Sequence, residues 1–252
     1  METKTARRAF TTKFWPSEWQ NGMIKTSNAM GMMTTELSPI AEEFIEYAAD
    51  ADMPVLDIGA SYGVATYPAL QNGAEVIACD LSESDLAILK KGVPFSYQSN
   101  LQTICKRFPN ELSLKPKSLS AIHISMVLHF LTGSEVEEGL QKCYEWLSHA
   151  GKLFIVVMTP YHGIFPNAMT IYEERVQAGE KWPGAINLKT QAPAHWENQI
   201  PPFAHFFMPD MLQSAIERAG FIVEQNEFFC YKNFPSQYKT NGKEFIGLVA
   251  RK

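Results

Sequence analysis

The stretch Val55-Leu56-Asp57-Ile58-Gly59-Ala60-Ser61-Tyr62-Gly63 constrains this chain more than any other. A short apolar run carries an acid near its end, then turns through two glycines into a segment of helical character. The dinucleotide fingerprint G-x-G-x-x-G seats a pyrophosphate on such a helix N-terminus, and from Gly59 it needs Gly at 61 and Gly or Ala at 64. Ser61 and Val64 stand there, so that pattern fails and D-x-G-x-S-x-G remains. A second strand-like run, Glu75-Val76-Ile77-Ala78-Cys79-Asp80, ends in an acid about 20 residues past the turn. A carboxylate at that place can accept from both vicinal hydroxyls of a ribose. Asp80 also suits a helix N-cap, which Asp favours at strand-to-helix turns.

The 252 residues, 46% hydrophobic, suffice for a full α/β core in one domain, and no Gly/Ser/Pro-rich linker separates halves. A net charge of −5 argues against a strong grip on nucleic acid phosphates. The cysteines (Cys79, Cys105, Cys143, Cys230) lie far apart without C-x-x-C, which fits a reducing compartment and offers no zinc site. No run approaches 18 apolar residues and the N-terminus lacks a secretory pattern, so the expectation is a cytoplasmic protein with no membrane partner.

Ser38-Pro39 reads as a cap and first turn of a helix reaching about Ala49, with Ile40, Phe44 and Ile45 inward. Helices follow over Val64–Leu70 and Ser82–Lys91, and Leu101–Ile104 is a short third strand. Ala121–Leu128 and Leu153–Met158 are nearly all apolar, as buried parallel strands are. Between them Ser134-Glu135-Val136-Glu137 reads as a capping box for a helix to about His149. The alternation over residues 54–158 implies a doubly wound, mostly parallel sheet. Residues 160–207 show few regular signals and are long for a connection, which favours a lid or substrate insert. A helix over Pro209–Ala219 and two strands, about Phe221–Tyr231 and Glu244–Ala250, close the chain; their polar turn at Lys239–Gly242 suits an antiparallel hairpin.

These features together resemble the class I S-adenosylmethionine (SAM) dependent methyltransferases over roughly residues 38–252. The turn at Asp57–Gly63 is similar to the family's motif I, [DE]-x-G-x-G-x-G, with Ser61 for the middle glycine. Ser120–Leu131 resembles the fourth strand and the turn after it, Leu147–Val157 the approach to strand five, and Ala219-Gly220-Phe221 the A-G-F before strand six. The resemblance implies a seven-stranded sheet with an antiparallel C-terminal hairpin strand, and a cap segment over residues 1–37. It implies SAM as cofactor, S-adenosylhomocysteine (SAH) as product, and a small-molecule methyl acceptor as partner. The cofactor residues it implies are Asp57, Gly59, Ala60, Ser61, Gly63, Asp80, Leu81, Phe108, Ser125 and Met126. The acid that often follows strand three in this family is missing, since Ile104-Cys105-Lys106-Arg107-Phe108-Pro109 has none; either Asn110 serves, backbone and Phe108 packing suffice, or the adenine pocket is altered. No Asp/Asn cluster suggests a metal.

His129 is the candidate base, because it follows the fourth strand at the edge where open α/β sheets bind ligands. A structural role for it stays open. His123, inside the strand, reads as packing, and His162 and His195 as surface or packing. Tyr161, Trp182, Trp196, His205 and Phe206 make the insert aromatic and are the candidate substrate residues, against plain lid packing. The expected function is methyl transfer to O, N or C of a small organic molecule. A protein or peptide methyltransferase and a non-catalytic SAM-binding module are the alternatives.

Overall fold

The structure is a computed structural model that describes Trp15 and residues 23–27, 32–188 and 201–252. A seven-stranded sheet runs in the order β10-β11-β7-β6-β3-β4-β5. Its central strands are β3 (Val55–Ile58), β4 (Val76–Asp80), β5 (Leu101–Cys105), β6 (Leu119–Ser125) and β7 (Leu147–Met158), all parallel. The C-terminal strand β11 (Phe245–Arg251) inserts antiparallel between β7 and β10 (Ile222–Phe229). The expected doubly wound fold with an antiparallel terminal strand is present. Among the described residues no helix is long and apolar enough to cross a membrane.

Helices cover both faces. α1 (Pro39–Ala49), α2 (Thr66–Gln71) and α3 (Glu83–Gly92) bury one apolar face, including Phe44, Leu70 and Leu89. α4 (Gly133–Trp146) and α6 (Pro209–Arg218) cover the other, with Leu140 and Ile216 fully buried. Ser38 caps α1 as the sequence suggests, its Oγ accepting from the Ala41 amide at 3.0 Å. A third cluster lies at the C-terminal end of the sheet, built from Met158, Phe165, Ala204, Phe206, Tyr231, Phe234 and Phe245 among others, with Met23 and Met32 packed against it.

Four boundaries differ from the sequence reading. β6 stops at Ser125, because Met126 enters the left-handed region (φ 57°) and turns the chain out of the sheet. The capping box is Thr132 with Glu135, two residues earlier than Ser134 and Glu137: the Thr132 amide reaches Glu135 Oε2 at 2.9 Å. α4 ends at Trp146 rather than His149, since buried Leu147 pairs with Leu119 and opens β7. Residues 230–244 form a long link between β10 and β11 instead of a tight turn.

The stretch from 160 is more regular than its composition suggests. It holds α5 (Ala168–Gln177) and the antiparallel pair β8 (Ala185–Asn187) and β9 (Phe203–His205). On the N-terminal side β1 (Met23–Lys25) pairs with β2 (Met32–Thr34) as a strap that crosses the C-terminal end of the sheet.

Candidate active site

The glycine turn leaves β3 with three consecutive odd-numbered residues in the left-handed region: Gly59 (φ 78°), Ser61 (φ 43°) and Gly63 (φ 88°). At Gly59 a side chain is excluded twice over, by its φ and by Val127, whose Cγ2 would lie 2.3 Å from an added Cβ. Two carboxylates brace the turn. Asp80, at the end of β4, accepts from the Ser61 amide through Oδ2 and from the Ser82 amide through Oδ1, both at 2.9 Å. The N-cap of α3 is Ser82 rather than Asp80, its Oγ accepting from the Asp85 amide, and each Asp80 oxygen keeps a second lone pair. Burial pushes the Asp80 carboxyl above its usual range, and the two amides partly offset this. Asp57 is filled by protein: Thr66 Oγ1 donates to Oδ2 at 2.6 Å, and His123 Nδ1 lies 2.8 Å from Oδ1. His123 stacks on Phe44 of α1, with ring centroids 4.9 Å apart.

From this turn a cavity of about 350 Å³ runs under the strap and the insert. Its turn end is lined by Asp57, Gly59, Ala60, Ser61, Asp80 and Leu81, with Ser125 and Met126 opposite. The far end is apolar, walled by Met158, Ile164, Phe165, Tyr231, Phe234 and Phe245. Two buried histidines sit in that wall, His129 and His162, and the Nδ1 atom of each has no hydrogen-bond partner among the described residues. Burial, and then His162 and His205 nearby, push His129 down to about 3. Burial likewise pushes His162 down to about 4, against the opposing pull of Glu244. Both rings are neutral at pH 7. Among the described residues no His, Cys, Asp and Glu group is placed to hold a metal ion.

The family described as "Methyltransferase domain" matches residues 55–151, the segment that carries the glycine turn, Asp80 and β6. With the strand order and the solved structures below, this decides the fold. The chain has the class I fold of SAM-dependent methyltransferases, and its residues 55–151 match a methyltransferase domain. Comparison with curated proteins found no match. Solved structures of similar fold include a SAM-dependent methyltransferase from Mesorhizobium loti, 18% identical over 85% of this chain and 96% of that one, with a TM-score of 0.62. Another, from Methanosarcina mazei, is 15% identical over 86% and 98%, with a TM-score of 0.61. The glycopeptide N-methyltransferase MtfA complexed with SAH is 18% identical over 84% and 87%, with a TM-score of 0.56.

In this fold the residues expected at the cofactor line the cavity, except Gly63, which packs behind the turn against Leu89. Phe108 lines it while also packing on Trp146; Lys106 and Arg107 stand beside it, whereas exposed Asn110 lies off the wall. The substrate residues expected from the insert stand elsewhere. Tyr161 packs on Phe228 and under Lys243. Trp182 lies over Gly133 of α4 and meets His205 edge-on. His205 Nδ1 is bonded to the Leu131 carbonyl at 3.0 Å, and Phe206 backs Phe165 from outside the cavity. Trp196 and His195 lie outside the described residues. His162 was the legible omission: like His129 it follows the C-terminal end of a buried parallel strand, and the same topological rule selects it. Phe234 and Phe245 give no such signal: Phe234 lies in the link to the polar turn at Lys239–Gly242, and Phe245 reads only as a strand residue of the terminal hairpin.

Proposed function

We propose that this protein transfers the methyl group of SAM to an oxygen, nitrogen or carbon of a small, largely apolar organic molecule. The observation that supports it is a single cavity joining the glycine turn and Asp80 to an aromatic vault with two neutral histidines. Its volume falls in the range of small-ligand pockets. The chain's residues fit the cofactor: the turn offers close backbone approach, and Asp80 has lone pairs left for a ribose.

Bound there, SAM supplies an activated methyl group on a sulfonium. The protein's part is then mostly to hold the acceptor in line, an effect that can be worth about 7–11 kcal/mol. Met158, Phe165, Phe234 and Phe245 exclude water and shape the acceptor end. His129 or His162 takes the proton that an O–H or N–H acceptor releases. A weak base suffices, because the acceptor atom becomes strongly acidic as the new bond forms. The strap and the described part of residues 160–207 close the cavity as cap and lid.

Two measurements test this reading. SAH should bind the wild type, and Asp80→Ala should weaken it by about tenfold or more, since bonds to an ionised group are lost. Label from methyl-labelled SAM should then appear in the small-molecule fraction of a cell extract. A glycopeptide methyltransferase among the solved structures keeps a peptide acceptor as the second reading, which label in the macromolecular fraction would favour. Binding without any label transfer would identify a non-catalytic module.

A further inference from the structure

A second buried carboxylate, Asp85 of α3, stands beside the turn with no accessible surface. Its Oδ2 accepts from Ser61 Oγ at 3.0 Å. Its Oδ1 accepts from Ser82 Oγ at 2.9 Å and from the hydroxyl of Ser27, which lies just past β1 in the strap. Ser82 in turn accepts from the Asp85 amide at 3.2 Å, so the carboxylate is built into the α3 cap. Ser61 is therefore gripped at two points, by Asp80 through its amide and by Asp85 through its hydroxyl. That grip holds a non-glycine residue in the left-handed region, where it would otherwise be unfavourable. Further contacts run the same way between strap and turn. Tyr62 donates to the Lys25 carbonyl at 3.0 Å, and Met33 Sδ lies 3.2 Å from the Ser61 hydroxyl.

We propose that Asp85 is a positioning residue which makes cofactor binding and closure of the strap one event. It rests on the reading of the turn as a SAM site. A buried carboxylate must keep its hydrogen bonds, so a strap that lifts Ser27 away removes a donor from the group that sets Ser61. Conversely, a ligand that settles the turn favours the closed strap, because such coupling is reciprocal.

The test is calorimetric titration of SAH into wild type, Ser27→Ala and Asp85→Asn, combined with trypsin cleavage after Lys25 with and without SAH. Lys25 is exposed, but its carbonyl is held by Tyr62 and its strand is paired, so cleavage requires the strap to open. Ser27→Ala should stay folded with a ligand-free Tm lower by only a few degrees, yet bind SAH about three- to tenfold more weakly, and Asp85→Asn about tenfold or more. SAH should slow cleavage at Lys25 in the wild type and much less in Ser27→Ala. The exposed Ser27 change decides the matter even where Asp85→Asn fails to fold. Unchanged SAH affinity in Ser27→Ala, or cleavage that SAH does not slow in a wild type that binds it, overturns the coupling. A wild type that binds no SAH overturns the cofactor reading itself and this inference with it.

Discussion

His129 and His162 show how a residue's chemistry is set by what surrounds it. An exposed histidine titrates near 6.5, while burial holds these two at about 3 and about 4. Their folded values lie below the unfolded one, so the unfolded chain binds more protons between those limits. Their contribution to stability is full above about pH 6.5 and is lost as the pH falls towards 4. At pH 5 each should cost about 2 kcal/mol relative to pH 7. His162→Phe, which keeps an aromatic ring among Phe165, Phe234 and Phe245, should therefore lose less stability on acidification than the wild type. Urea midpoints at pH 7 and pH 5 measure this, and an equal fall in both proteins would refute it. Asp57 teaches the complementary lesson. Its acid character and place before the glycines were legible, but both oxygens are engaged by Thr66 and His123. Those partners come from α2 and the neighbouring strand, and no spacing within motif I reveals them.

At the scale of elements, the start of α1 is written in the sequence more plainly than the ends of β6 and α4. Pro39 and Ser38 mark α1 because a side-chain cap is a local contact. The exit from β6 at Met126 and the change from α4 to β7 at Leu147 are settled by the sheet, whose core claims Leu147 despite its helical spacing. The start of α4 was misplaced for a simple reason. Ser134 and Thr132 both offer a hydroxyl, and only the path of the preceding turn decides which one faces the first free amides. That same first turn is packed tightly against the insert. A Cβ on Gly133 would meet Trp182 Cδ1 at 2.0 Å, so Gly133→Ala should destabilise the protein by about 1–3 kcal/mol through overpacking. Thermal unfolding checks this, and adding Trp182→Leu should restore part of the loss.

For the whole molecule, the cavity is closed by segments far apart in the chain. Glu36, beside α1, accepts from the amides of Lys232 and Asn233 at 2.7 and 2.8 Å and so pins the β10–β11 link to the strap. Glu36→Ala should lower stability by about 1–2 kcal/mol and speed hydrogen exchange at those two amides, with little change in the parallel strands. Exchange unchanged at Lys232 and Asn233 would show that the link holds without this clamp. The sequence by itself determined the alternating α/β order and the strand-turn-helix at Asp57–Gly63. Each of these rests on contacts or conformations within a few residues, or on a period that the burial of one face imposes. The tertiary structure alone decided the apolar end of the cavity. Phe234, Phe245, Met158 and His162 converge there from separate elements, while Trp182, His205 and Phe206, aromatic by the same sequence criterion, turn into the packing behind the wall. Burial rewards apolar area wherever it is removed from water, and the direction a ring faces follows only from which elements pack against it.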